Sequence, residues 1–406
     1  MNKSKSKTIL LPTDSFLPNI GGMEIGLHNI AVGLKVRGYT PILLIPMKTF
    51  VEIIIKRIRF PYKILPNIPK LSHILTNCQN ATFFIFGFYM KILTTIFHVR
   101  LFHVTSCYPI AVPVIKYAKR NKIPVIVRAV GNDIQIDESI QYGMRLNKKV
   151  DQLIKDWLPK SDLLIATTNT IVKEYENLGI DKEKIIKIPN GVDVAYFKSV
   201  SKNKSNGLDF LPKSNKITFL SVGRYHKKKG FEILLHAIKV LELNNLNNFR
   251  VVLIGDGLKD NLELLAEELD ILDRIIFVDA ILNIKNKKSS FSLPDPDLVR
   301  AYKSADVFVL PSLVESFGIV LVEAMAAELP IITTDGPGCR DVINNGKYGY
   351  MVSVGNKEDL ARAMSKFVTD EKIRLDYKTK SIEGLKHYDW DNIITRYDKL
   401  YQSLLN

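Results

Sequence analysis

Two glutamates separated by seven residues, Glu315 and Glu323, bracket Ser316, Phe317, Gly318 and Ile319 in PSLVESFGIVLVEAMA. Val307–Leu310 before them is a continuous apolar run, as in a strand buried on both faces. A helix is predicted from about Ile319. The amides of its first turn lack intrahelical partners and carry partial positive charge, which makes an anion site. Anion-binding amides between two hydroxyl-seeking carboxylates suit a ligand with both phosphate and sugar. A second set is cationic. Gly223 and Arg224 leave the carboxyl end of the predicted strand Ile217–Val222, and Lys229 closes a three-lysine run before Gly230. A guanidinium can grip phosphate with two parallel bonds, and an ammonium acts as a point charge. The bland alternative is a basic surface loop. After the predicted strand Val251–Ile254, Gly255 and Gly257 allow close packing over a flat base or ribose.

The first half offers weaker chemistry. Gly21 and Gly22 precede a predicted helix from about Met23 to Arg37, where a glycine pair lets backbone approach a ligand and the helix start can face phosphate. A plain flexible turn explains them equally well. His103 and Ser106 leave one strand end, and Arg128, Gly131 and Asp133 surround another. Asp133 directly after a buried strand reads as a cleft carboxylate, whereas His103 reads either as a cleft residue or as a satisfied core histidine. Asp295-Pro296-Asp297 spells a D-x-D metal motif, but Pro296 and Asp297 are read as the start of a helix over 298–304.

These groups need strand ends to hold them. Strand-like and helical patterns alternate through Thr8–Leu11, Pro41–Ile45, Phe83–Phe88, Phe102–Thr105, Ile110–Arg120 and Pro124–Val130, which predicts a parallel sheet covered by helices. Its ligand site belongs at the carboxyl ends of the strands. The pattern pauses at 199–215, a polar stretch with Gly and Pro that reads as a linker, and restarts at Ile217. The expected domains are 1–198 and 216–386.

Composition narrows the classes. The 406 residues suffice for two domains. Three cysteines at no metal-ligand spacing fit a reducing compartment and a cytoplasmic protein. The first 200 residues contain 28 of the 57 Lys and Arg but only 14 of the 42 Asp and Glu, so nearly all of the net charge of +15 lies there. A basic half implies an acidic partner such as anionic lipid or a phosphorylated glycan. Nothing resembles a nucleic-acid module. No run has the ~18 apolar residues of a spanning helix. Ala81–Val99 reads as a strand plus a core helix. Lys48–Lys63 mixes Ile and Phe with Lys and Arg and suits either a membrane surface or an ordinary connector.

The context of Glu315 and Glu323 resembles the E-x7-E signature of retaining glycosyltransferases of family 4, the glycosyl transferases group 1. Pro189-Asn190-Gly191-Val192-Asp193 and the Gly-Arg and Lys-Gly pairs at 223–230 resemble the same family. The resemblance implies an α/β, GT-B fold: two Rossmann-like parallel-sheet domains facing across a cleft, with a Trp-containing terminal helix, 387–406, completing the first. It implies sugar transfer from a nucleotide-sugar to a glycan or lipid-linked acceptor with retention of configuration. Arg224 and Lys229 would hold the diphosphate, with no metal and no other cofactor. Glu323 would accept ribose hydroxyls, Glu315 sugar hydroxyls, and Gly21 and Gly22 would line the cleft. The chain departs from the family at Val130, where many members carry a histidine. Asp133 is then the expected acceptor binder or base, with His103, Ser106 and Arg128 on the acceptor side. A nucleotide-sugar epimerase and a non-catalytic glycan- or membrane-binding protein are the competing classes.

Overall fold

The computed structural model describes residues 7–67, 79–201, 211, 214–257, 259–281 and 293–405, with side chains from residue 84 onward in the helix Gln79–Phe97. The chain divides into two compact units. The first comprises residues up to 190 and the terminal helix Trp390–Leu405, and the second holds the rest of the described residues.

The first unit is built on a parallel sheet of β1 (Thr8–Pro12), β2 (Thr40–Ile45), β3 (Lys63–Pro66), β4 (Val99–Thr105), β5 (Val125–Arg128), β6 (Leu163–Ala166) and β7 (Ile185–Lys187). Their order is β3-β2-β1-β4-β5-β6-β7, with Leu10 facing Ile42 on one side and Phe102 on the other. Ile9, Leu10 and Leu11 are all fully buried, as a strand with helices on both faces requires. The first helix, Gly22–Val36, starts at an extended Gly21 without a side-chain cap and carries Glu24 in its first turn, which complements the helix dipole. One of its faces packs on the terminal helix, where Gly33 sits directly against Ile394. Arg37 donates to the Thr395 hydroxyl at 2.9 Å and Tyr39 to Asp398 at 2.7 Å. Ile393, Ile394, Tyr397 and Tyr401 are buried in the process.

The second unit repeats the plan with β8 (Ile217–Val222), β9 (Phe249–Gly255), β10 (Ile275–Asp279), β11 (Val307–Leu310), β12 (Ile331–Thr334) and β13 (Tyr350–Val352), ordered β10-β9-β8-β11-β12-β13. All the strand pairs are parallel. Both sheets reverse strand order once, between β1 and β4 and between β8 and β11. Loops leaving the two strands at such a reversal diverge and open a crevice.

Three expectations change. Phe83–Phe88 is no strand but part of the helix Gln79–Phe97. A short apolar run does not distinguish a buried strand from a helix apolar on several faces. The first unit ends at Asn190 rather than 198, because the short helix Val194–Ser199 buries Phe197 in the second unit's core. Edge strands β3 and β13, of four and three residues, have no counterpart in the predicted elements. Most of the expected linker 199–215 lies outside the described residues. Asp295 caps the helix Pro296–Ser304 by accepting from the Asp297 amide at 2.9 Å, and Asp297 pairs with Arg300. The D-x-D string is thus a helix start. No helix among the described residues is long and apolar enough to cross a membrane.

Candidate functional site

At the β8/β11 reversal two loops are locked together. Gly230 has φ +66°, and a Cβ there would lie 2.1 Å from the Pro311 carbonyl oxygen, so only glycine lets the loops approach this closely. The Leu313 amide donates to the Lys228 carbonyl at 2.7 Å. This contact delivers Lys229 to Glu315, and the two form an ion pair whose side chains are 11% and 7% exposed. The Ser312 hydroxyl donates to the same carboxylate oxygen at 3.1 Å. Burial alone would raise the Glu315 carboxyl, but Lys229 and Lys228, with the Lys229 and Ser312 hydrogen bonds, hold it below its usual value. It stays ionised at neutral pH. Arg224 is exposed, forms no ion pair among the described residues, and its charge is felt with that of Lys229 at Lys228 and His226. Burial, Lys228, Arg224 and Lys229 together depress the neighbouring His226. The crevice therefore presents an excess of positive charge.

Gly318, with φ +78°, turns the chain into the helix Ile319–Ala326 without a side-chain cap. Phe317 is buried and stacks edge-on against Tyr388. One turn into the helix, Glu323 is 4% exposed and accepts from the Tyr302 hydroxyl at 2.8 Å. Burial pushes its carboxyl up to about 7 despite that bond and the Lys229 charge. Tyr302, 21 residues before its partner, carries no motif that could have flagged it. Gly255 and Gly257 take a role other than the expected one. The backbone of Gly223 and the ring of Tyr225 fill the space over Gly255, and the Tyr225 amide donates to the Asp256 carbonyl at 2.7 Å. The flat ring packed on this turn is the protein's own.

At the β1/β4 reversal the structure brings together Asp14, Ser106 and Ile110. Asp14 was invisible to motif reading, since its partners lie more than ninety residues away. The Ile110 amide donates to it at 3.5 Å, and Ser106, held by its own bond to the Tyr108 carbonyl at 2.6 Å, reaches its carboxyl. Burial pushes that carboxyl up to about 7 against the Ser106 and Ile110 bonds, and Asp133 adds to the rise. Gly21 and Gly22 lie partly exposed at the start of the first helix, after the loop whose Ser15 hydroxyl donates to Glu24 at 2.6 Å.

Three acceptor-side expectations are corrected. Asp133 is 1% exposed, and its oxygens accept from the amides of Cys107 at 2.5 Å, Val130 at 3.0 Å and Gly131 at 2.8 Å. Its carboxylate is committed to holding two strand-end loops. Arg128 is 1% exposed and donates to Asn190 beneath the first helix. His103 is fully buried, its Nδ1 2.5 Å from the Tyr401 hydroxyl and its ring stacked on Tyr397, and burial with the Arg128 charge pulls it down to about 3. It is a neutral core histidine. Cys107 and Cys339 are buried thiols, raised by burial and unsuited to nucleophilic chemistry.

Asp14 and Glu323 give a pH signature. Each carboxyl binds its proton more tightly folded than unfolded, so its stabilising contribution is complete near pH 4 and lost as pH rises through about 7. Melting temperature should fall between pH 5 and pH 8, and Glu323→Gln should flatten that slope by about 2 kcal/mol.

A family model described as Glycosyltransferase Family 4 matches residues 20–196, and one described as Glycosyl transferases group 1 matches residues 208–383. Among curated relatives, a phosphatidyl-myo-inositol mannosyltransferase of Mycolicibacterium smegmatis is 31% identical over 57% of this chain and 54% of its own length. A D-inositol 3-phosphate glycosyltransferase of Corynebacterium jeikeium is 30% identical over 60% and 58%. The matched region thus spans little more than half of these relatives. Two solved structures share the whole fold. A glycosyltransferase from Rickettsia africae has a TM-score of 0.74 at 19% identity, covering 99% of each chain. HepE of Anabaena, solved in complex with UDP, has a TM-score of 0.75 at 17% identity, covering 98% of this chain and 100% of its own. Two Rossmann-like units make this the GT-B fold, and with both halves matched by its models the chain belongs to glycosyltransferase family 4.

Proposed function

We propose that this protein transfers a hexose from a nucleotide-sugar to a glycan or lipid-linked acceptor in the assembly of a cell-surface polysaccharide or lipopolysaccharide. The observation that carries the reading is the buried Lys229–Glu315 pair at the β8/β11 crevice, with Arg224 exposed on the same basic loop and in no ion pair among the described residues. The structures of HepE with UDP and with UDP-glucose support a nucleoside diphosphate sugar as the ligand class. The phosphatidyl-myo-inositol and D-inositol 3-phosphate in the relatives' names support a hydroxyl acceptor.

In this reading the acceptor oxygen bonds to C1 of the sugar while the bond from C1 to the diphosphate oxygen breaks. The acceptor's proton leaves to solvent or to the departing phosphate. Negative charge grows on that phosphate, and Arg224, Lys229 and the first-turn amides at Ile319 are fixed in advance to meet it. These cations take the role a divalent ion would have, so the reaction proceeds without metal. Glu323 accepts a ribose hydroxyl. Glu315, kept ionised by Lys229, accepts a sugar hydroxyl and stabilises positive charge developing at C1. Retention of configuration follows from the family resemblance. Asp14, at the crevice of the first unit, is the carboxyl group placed to bind the acceptor hydroxyl.

Calorimetry with UDP, GDP, ADP and their sugars, in EDTA, tests the donor site. One nucleotide should bind without metal, and Arg224→Ala should weaken it by about 10- to 100-fold, the value of a charge-assisted bond. Absence of binding across the panel, or full recovery only on adding a divalent ion, would overturn the assignment.

A further inference from the structure

Among the described residues the Glu323 carboxyl makes one hydrogen bond, and it is to a residue with no motif around it. Tyr302, on the helix Pro296–Ser304, is fully buried, and its hydroxyl donates to Glu323 Oε2 at 2.8 Å. Two rings fix the phenol in place: Phe308 on β11, with centroids 5.5 Å apart, and Phe197 at 6.3 Å. The hydroxyl makes no other hydrogen bond among the described residues, so its hydrogen has one acceptor. Glu323 Oε1 has no partner among the described residues and is the oxygen left to meet a ligand. A neutral carboxyl carries its hydrogen on one oxygen. With Oε2 accepting from Tyr302, that hydrogen belongs on Oε1. Neutral Glu323 therefore offers a ligand a donor at Oε1, and full acceptor strength comes only with ionisation. Burial pushes the carboxyl up to about 7, so it exchanges this proton near neutrality.

Given a nucleotide-sugar in the β8/β11 crevice, the reading on which this step rests, we propose that Tyr302 is a positioning residue for ribose recognition: it leaves Glu323 Oε1 for a ribose hydroxyl and couples nucleotide binding to release of the proton on that oxygen. Two ionisable side chains act on the carboxyl. They are Tyr302 itself and Lys229 from the basic loop, whose charge favours ionisation. Val194–Ser199, Cys339–Val342, Glu371–Leu385, β11 and β12 also pack on the helix Ile319–Ala326 and bring no charge that acts on it. The Tyr302 bond favours the ionised form too. Losing that bond raises the pH at which Oε1 becomes an acceptor and frees the carboxyl to turn.

Calorimetry on the full chain between pH 6 and pH 8, with UDP, GDP and ADP each beside its 2′,3′-dideoxy counterpart, tests the coupling. The diphosphate titrates alike within each pair, so the ratio of the two affinities isolates the ribose contact. For the nucleotide that binds, the wild type should prefer the ribose form, by a ratio that grows about tenfold across this range. Tyr302→Phe keeps the ring and removes the hydroxyl. It should weaken binding of the ribose form about tenfold at pH 7 and leave the dideoxy form within about twofold. The rise in the ratio should move to higher pH. In turnover, KM for the donor should rise while kcat stays unchanged, as for an interaction made equally in ground and transition states. A wild-type ratio that stays flat from pH 6 to pH 8 overturns the proposal, whether or not the variant folds. So does a Tyr302→Phe protein that weakens both forms equally, as lost packing would, or neither. No nucleotide binding to the wild type at any pH overturns the donor-site reading and this coupling with it, whereas binding without the ribose preference overturns the coupling alone.

Discussion

Lys229→Ala should cut transfer sharply and also melt the second unit early, whereas Arg224→Ala should do only the first. The difference lies in what each residue leaves behind. Removing Lys229 takes from Glu315, 5% exposed, its direct ion-pair partner and leaves the more distant Lys228 charge and the Ser312 hydroxyl. Breaking a buried pair by deleting one partner costs about 3–5 kcal/mol, which lowers the melting temperature by about 10 °C in a unit of this size. The same variant loses a preorganised cation facing the leaving diphosphate, worth about 10²–10³ in kcat. Arg224 is exposed and in no ion pair among the described residues, so Arg224→Ala should leave stability within about 0.5 kcal/mol while weakening nucleotide binding. Adding Glu315→Gln to Lys229→Ala removes the stranded charge. The double variant should regain most of the melting temperature and none of the activity. Differential scanning calorimetry beside single-turnover assays would show it. A Lys229→Ala protein with wild-type melting would mean that Glu315 finds another partner, and the pair would lose its place in the argument.

The second large effect is expected at Asp133. Its two oxygens serve three amides from two loops. Asp133→Ala leaves those donors buried without acceptors, at about 1–3 kcal/mol each. The first unit should lose well over 10 °C in melting temperature, and amide exchange at Cys107, Val130 and Gly131 should accelerate together. Asp133→Asn, which keeps one acceptor oxygen, should fall between. A carboxylate whose task was to bind the acceptor would instead raise KM for the acceptor in a protein of normal stability, and that outcome would restore the cleft role.

How far the sequence carried these conclusions depended on the distance between partners. The strand endings of the second half were readable because each apolar run stops at its own loop, as at Val222–Gly223 and Leu310–Pro311. Glu315 and Glu323 were readable because both flank one helix start. Asp14 was not, because its loop gains meaning only when β4, ninety residues later, is laid beside β1. His103 and Arg128 were placed at strand ends correctly but on the wrong side of the chemistry. Which face of the first sheet is sealed depends on Tyr397 and Tyr401, some three hundred residues downstream. The helix Gln79–Phe97 misread as part strand because its uncovered face is as apolar as its buried one.

The terminal helix sets an order of events during synthesis. The first unit has its seven strands well before the ribosome reaches the second, yet the surface bearing Gly33, Tyr39 and His103 stays open until residues 390–405 emerge. The nascent chain must hold an incomplete domain through the translation of about two hundred residues, with an apolar groove shaped for its own last segment. A permuted gene that places this helix ahead of β1 would let the domain close as it is made.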